Sequence, residues 1–325
     1  MFTFINGNKM QRKIVCLLGG AGFVGRAVAH ELAEAEFSVR IPTRRREKIK
    51  KDLIVNPSID VVDIDLNQKS SLSEILEGSD IVINLIGILH ETKKYSFQKV
   101  HVDLVEQIVE ACINKGIERF IHVSALGTSE NSPSKYLRSK WEGEQRILSG
   151  QENIPTTIFK PSIVFGPGDQ FVNLLSQMCK YLPVVPVVKP DAKFQPIHVG
   201  DLANLIVMSI SMSETHGKVF EVGGPEVYTF QELVKTICDF QESRRLVIPL
   251  PDYVSQVLAT FAELSPIKFL TKDNLQSLSV DNVSKFKITD FFDIELHQLK
   301  DMMQPNNVLE KKQSRWAKKR TIANR

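Results

Sequence analysis

The sequence predicts an α/β protein: a doubly wound parallel sheet with a smaller C-terminal α/β lobe. Three observations predict it. Strand and helix patterns alternate with short loops through the first half of the chain. The strands are near-continuously apolar, as in IVINLI and RFIHV, which a sheet covered on both faces requires. The first strand breaks into a glycine-rich turn, KIVCLLGGAGFVG over residues 13–25, and resumes as a helix.

Strands are expected at 13–18, 38–41, 60–63, 80–86, 119–124 and 156–160. Helices are expected between them at 24–35, 71–77, 97–115 and 136–149. Ser71-Leu72-Ser73-Glu74 reads as a capping box opening the second helix. Right-handed crossovers then give a parallel sheet. Beyond residue 161 the pattern loosens. PVVPVVKPDAKFQP reads as an irregular loop with short edge strands. Asp201–Met212 and Phe230–Phe240 read as helices, the second opened by the capping box Thr229–Glu232, and Lys218–Val222 as a strand. The expected organisation is a flexible N-terminus at 1–12, a dinucleotide-binding domain at 13–165, a C-terminal lobe at 166–304 and a basic tail at 305–325.

Composition narrows the function classes. The formal net charge is +3, but residues 310–325 hold seven Lys/Arg and one Glu. That net of +6 leaves the rest of the chain at −3. A nucleic-acid-binding domain would carry positive charge on a folded face, so none is expected. The tail reads as a disordered arm suited to solubility, an anionic lipid surface or an acidic partner. Cys16, Cys112, Cys179 and Cys238 form no C-x-x-C pair and read as buried thiols of a reducing compartment, not as disulfides. The seven histidines show no ligand spacing, so no metal site is expected. No apolar run approaches the ~20 residues that span a bilayer, and the first twelve residues lack a secretory h-region.

The glycine turn is the strongest chemical signal. A strand leading into glycines and a helix N-terminus presents free N–H groups to a pyrophosphate. Two registers fit: Gly20, Gly22 and Gly25, or Gly19, Gly22 and Gly25. The second strand runs into Arg44-Arg45-Arg46 and carries no acid that would hold a ribose 2′-hydroxyl. Arginines there suit a 2′-phosphate, so NADP(H) is favoured and NAD(H) is the alternative. Tyr136 and Lys140 are spaced i, i+4 on one helix face. An ammonium near the Tyr136 hydroxyl would favour the phenolate and make it a general acid or base. Ser124 ends a strand at the carboxyl edge of the sheet, where its hydroxyl could bind a substrate carbonyl.

In order, GGAGFVG, Asp65-Leu66, Asn84-Leu85-Ile86-Gly87, Ser124, Tyr136/Lys140 and KPSIVFGPG at 160–168 resemble the short-chain dehydrogenase/reductase superfamily in its extended branch. The resemblance covers residues 13 to 240. It implies a Rossmann fold, a catalytic set of Ser124, Tyr136 and Lys140, and cofactor contacts from Gly19, Gly20, Gly22, Phe23, Val24, Gly25, Arg44, Arg45, Asp65, Leu66, Leu85, Gly87, Lys140 and Pro161. A narrower set of segments is similar to the Rossmann-type nucleotide-binding accessory subunits of respiratory complex I and their bacterial homologues. These are VSALG at 123–127, SPSKYLRSK at 132–140, Leu264-Ser265-Pro266, Leu270–Leu275 and Asp281-Asn282-Val283. That likeness implies bound NADPH, complex I subunits as partners, and a place in the bacterial cytoplasm against the inner face of the membrane, or on the mitochondrial matrix side. Pro251–Leu270 carries an apolar helical stripe (Val254, Val257, Leu258, Phe261, Leu264) that packs on its own domain or docks on a partner or a membrane. The competing expectation is an NADP-dependent oxidoreductase, epimerase or dehydratase working on a small or quinone-precursor substrate.

Overall fold

The computed structural model describes residues 12–44, 56–64, 69–241, 245–251, 253–254 and 271–303. Its centre is a seven-stranded parallel sheet. In chain order the elements of the first half are β1 (Ile14–Leu18), α1 (Phe23–Glu34), β2 (Ser38–Thr43), β3 (Ile59–Asp63), α2 (Lys69–Leu76), β4 (Ile81–Asn84), α3 (Leu104–Asn114), β5 (Arg119–Val123), α4 (Lys135–Ser149) and β6 (Thr156–Pro161). A π-type stretch, Gln98–Asp103, leads directly into α3. Helix α2 begins two residues before the capping box expected at Ser71.

The second half continues through β7 (Val164–Phe165), α5 (Phe171–Tyr181), β8 (Val184–Val187), β9 (Lys193–Phe194), β10 (Ile197–His198) and α6 (Val199–Met208). It then forms β11 (Lys218–Val222), β12 (Tyr228–Thr229), α7 (Phe230–Phe240), β13 (Leu246–Pro249), α8 (Lys272–Ser277) and α9 (Leu299–Met303). The sheet order is β11-β6-β5-β4-β1-β2-β3. The chain reverses direction across the sheet between β1 and β4, which opens a crevice at their carboxyl ends. Strand β11 pairs with β6 in parallel, so the second half of the chain supplies the sheet's last strand.

Alternation along the strands sorts the two covering layers. Val15, Leu17, Ile81, Ile83 and Phe159 face α1 and α6. Cys16, Leu18, Val82, Phe120 and Ile158 face α2, α3 and α4. A third cluster, between α5, α7 and β8, forms the lobe. There Cys179 and Cys238 are bonded to each other, with Cα atoms 5.2 Å apart, which corrects the expectation of four free thiols. Packing α5 on α7 faces two cysteines 59 residues apart, a distance at which sequence spacing carries no signal. Cys16 and Cys112 are buried thiols, and burial raises Cys16 to about 12.

The capping box at Thr229 forms as expected. Its Oγ1 accepts from the Glu232 N–H, and the Glu232 carboxylate accepts from the Thr229 N–H at 2.8 Å. Thr229→Ala is expected to lower unfolding free energy by ~1 kcal/mol, and Thr229→Ser to change it little, by denaturant titration. The apolar stripe expected over 251–270 and the tail at 305–325 lie almost wholly outside the described residues.

Candidate functional site

The crevice starts at the glycine turn. Gly22 is the N-cap of α1 and supplies no side chain to cap it. The first-turn N–H groups of Phe23, Val24 and Gly25 therefore have no intrahelical partner and point into the crevice mouth with the positive end of the helix dipole. Two positions demand glycine. Gly19 has φ +80°, and a Cβ there would lie 3.0 Å from the Leu85 carbonyl carbon. A Cβ on Gly25 would lie 2.3 Å from Gly19 O. The structure thus selects the register Gly19, Gly22, Gly25, with Gly20 packed against Leu17 and Ile41. This bare cradle fits a dinucleotide pyrophosphate.

At the end of β2, Arg44 donates to the Tyr95 hydroxyl and stacks with its guanidinium carbon 5.0 Å above the Tyr95 ring. Arg45, Asp65 and Leu66 lie outside the described residues. Leu85 follows β4, its N–H bonded to Leu18 O. Pro161 closes β6 beside Val222 of β11.

At the other end of the crevice, α4 presents Tyr136 and Lys140. Ser134 caps this helix, its Oγ accepting from the Leu137 N–H. Phe97 and His101 clasp the Tyr136 ring edge-on at 5.8 and 5.6 Å. His101 Nε2 accepts from the Ile88 N–H at 3.1 Å, so Nδ1 carries the hydrogen and donates to Ser139 Oγ at 2.9 Å. Lys140 is buried and donates to Val123 O at 3.2 Å. A Cβ on Gly87 would stand 3.2 Å from Lys140 Nζ, which places this glycine against the ammonium.

Burial dominates the electrostatics. It lowers Lys140 to about 8, against the pull of Glu144. It lowers His101 to about 3, helped by the Lys140 charge, and holds His122 far below the usual imidazole range for the same two reasons. Tyr136 keeps partial exposure, yet the groups packed round it push its phenol up to about 12. This is opposite in direction to the expected drift toward phenolate: desolvation favours the neutral phenol, and Lys140 Nζ gives one of its three hydrogens to Val123 O.

Ser124 differs from expectation as well. Its hydroxyl donates to Glu144 Oε1, which also accepts from Thr128 Oγ1 at 2.7 Å. Glu144 Oε2 pairs with Lys160 Nζ at 3.2 Å. Ser124 is thus engaged with a buried carboxylate rather than presented to a ligand. Sequence reasoning passed over Glu144, although it stands four residues after Lys140 on the same helix face as Tyr136. It also passed over His101, which has no motif to mark it.

A second cluster forms apart from this site. His297 Nδ1 meets Asp201 Oδ1 at 2.6 Å, and His198 completes a group whose ligand-type atoms lie within 4.8 Å of one another. The separation of 96 positions between Asp201 and His297 hides it from any spacing rule.

Comparison with known proteins agrees with this geometry. The mitochondrial NADH dehydrogenase [ubiquinone] 1 alpha subcomplex subunit 9 of Dictyostelium discoideum is 34% identical over 253 residues, 73% of this chain and 70% of the relative. A ceramide reductase of Caulobacter vibrioides is 29% identical over 245 residues, 74% of each chain. The solved epimerase Mth375 of Methanothermobacter thermautotrophicus superposes with a TM-score of 0.72 at 18% identity, covering 90% of both chains. Residues 15–223, including the glycine cradle, Tyr136 and Lys140, match a single family description, and the chain belongs to the NAD dependent epimerase/dehydratase family.

Proposed function

We propose that this protein carries NADP(H) in the Gly19–Gly25 cradle and acts as an accessory or assembly component at the periphery of respiratory complex I. The observation that carries the reading is where its complex-I-like C-terminal residues lie. Asp273 and Asn282, from two of the three C-terminal segments that resemble those accessory subunits, reach back to the Tyr136 helix and to the loops after β5 and β6. The 34% identity to the Dictyostelium subunit supports the same partner. Arg44, at the end of β2 with no acid on that strand's tip, supports NADP(H) over NAD(H).

The dinucleotide, when bound, supplies a hydride-transfer centre. The chain's own groups would hold it. The α1 N-terminus takes the pyrophosphate, Arg44 the 2′-phosphate, and Lys140, seated against Gly87, the ribose beside the nicotinamide. No described helix is long and apolar enough to cross a membrane. The place proposed is against the inner face of a bacterial membrane, or the mitochondrial matrix side. The basic 305–325 tail then faces anionic lipid or a neighbouring subunit.

Two measurements test this. Fluorescence titration is expected to show NADPH binding tighter than NADH, with Arg44→Ala removing most of the difference. A charge-assisted contact is worth about 1.5–3 kcal/mol, or roughly 10- to 150-fold. Equal or tighter NADH binding by the wild type sinks the NADP(H) assignment. Native electrophoresis of gently solubilised membranes is expected to show co-migration with complex I. A freely migrating soluble species sinks the accessory role.

A second reading, an NADP-dependent oxidoreductase, epimerase or dehydratase, is favoured by one feature. Tyr136 Oη has no hydrogen bond to any described residue and lies on the helix face that carries Lys140.

A further inference from the structure

Asp273 lies 137 residues beyond Tyr136, yet its carboxylate holds the start of the helix that carries Tyr136 and Lys140. Oδ1 accepts from the Lys135 N–H at 2.6 Å. Oδ2 accepts from the Tyr136 N–H at 3.1 Å and from the Ser134 hydroxyl at 2.9 Å. The two N–H groups belong to the first turn, which the helix cannot pair internally, and a carboxylate there also meets the favourable end of the dipole. Ser277 reinforces the joint by donating to Ser134 Oγ at 2.8 Å.

Nine residues further, Asn282 ties down the loops beyond β5 and β6. Its Oδ1 accepts from the Ser162 hydroxyl at 2.6 Å and the Ile163 N–H at 3.1 Å, and its Nδ2 donates to Leu126 O at 3.4 Å. Between these anchors the segment passes the loop after β5, where a Cβ on Gly127 would stand 3.2 Å from Val280 Cγ1. It is held by polar anchors more than by apolar area, since Leu275 is its one buried apolar side chain. Such a segment can be released without opening the core.

We propose that Asp273 is a positioning residue of the dinucleotide site, fixing the Tyr136–Lys140 helix, and that the docked state of Thr271–Asn282 thereby sets nucleotide affinity. The proposal rests on the reading that the crevice takes a nicotinamide dinucleotide. By linkage, bound nucleotide must hold the segment down by the same factor by which the docked segment tightens the nucleotide. A partner that grips the C-terminal chain would then sense whether the site is filled.

The test compares Asp273→Ala and Asp273→Glu with Asp201→Asn. Asp201 is a matched control, because its carboxylate anchors another part of the C-terminal chain, the His297 N–H and Nδ1, to α6. Asp273→Ala is expected to raise the NADPH dissociation constant about 10-fold. Asp273→Glu, which keeps the charge, recovers part of the loss, and Asp201→Asn stays within about twofold. Amide exchange at Lys135 and Tyr136 is expected to speed up in Asp273→Ala with or without NADPH. NADPH is expected to slow exchange across Thr271–Asn282 in the wild type. Unchanged affinity in Asp273→Ala, or an equal loss in Asp201→Asn, overturns the proposal. If the wild type binds no nicotinamide dinucleotide, the functional reading fails. Amide exchange then decides the helix-holding role alone, and unchanged Lys135 and Tyr136 exchange in Asp273→Ala overturns it. Should Asp273→Ala not fold, Asp273→Asn, which removes only the charge and one acceptor, takes its place in both measurements.

Discussion

Gly22→Asp is expected to eliminate dinucleotide binding while leaving the protein folded and slightly more stable. Gly22 caps α1 with φ −75° and ψ −179°, an extended conformation open to any residue. A Cβ there would come within 3.3 Å of Gly19 O, so the turn needs to give only a few tenths of an ångström. Aspartate is a favoured N-cap, and its carboxylate would accept from the Val24 or Gly25 N–H. Those are the donors that a pyrophosphate needs. The substitution thus gains about a few tenths of a kcal/mol in the free protein. It removes about two charge-assisted hydrogen bonds from the ligand, roughly 3–6 kcal/mol, and adds like-charge repulsion. Affinity is expected to fall by at least about 100-fold. A fluorescence titration with NADPH and a thermal melt of the free protein read the two effects separately. NADPH should also cease to raise the melting temperature. Retained NADPH affinity in the folded variant would show that the glycine turn is structural only.

The part of this site that was legible in sequence is the part built from local pattern. Strands β1 to β6 and the helices between them follow from apolar runs and helical periodicity, and each lies within a few residues of expectation. The glycine turn was legible for the same reason, although only the positive φ of Gly19 chooses between its two registers. Partners far apart in the chain leave no local trace. Nothing in Lys218–Val222 announces that it pairs with β6, nor in Cys179 that it faces Cys238. The hydroxyl of Ser124 shows the limit most clearly. Its position at a strand end was readable, but its partner Glu144 sits on the next helix, and only three-dimensional packing turns the hydroxyl toward that carboxylate. Asp273 is the extreme case, since a single acid in an ordinary helix start becomes the anchor of the Tyr136 helix.

Tyr136→Phe separates the two functional readings, because it removes one hydroxyl from an otherwise intact setting. The ring is held by Phe97 and His101 through edge contacts that phenylalanine keeps. Tyr136 Oη bonds to no described residue, so stability is expected to stay within about 0.5 kcal/mol of wild type. Nucleotide affinity should change little, since the substitution leaves the Gly19–Gly25 cradle and Arg44 untouched. With its phenol raised to about 12, Tyr136 holds its proton at neutral pH and is equipped to donate it. In an enzyme, deleting that donor lowers turnover by about 10²–10⁴-fold. In an accessory subunit it leaves complex I assembly and respiration unchanged, whereas Gly22→Asp impairs assembly by removing a ligand that stabilises the fold. The accessory outcome is the one expected. The Ser124 hydroxyl donates to the buried Glu144 carboxylate, so the group that would bind a substrate carbonyl is engaged within the protein itself. Replacing the chromosomal gene with each variant and following respiration and the protein's level decides the matter. A Tyr136→Phe strain that behaves like a deletion while the protein stays at its normal level overturns the accessory role and assigns the site to catalysis.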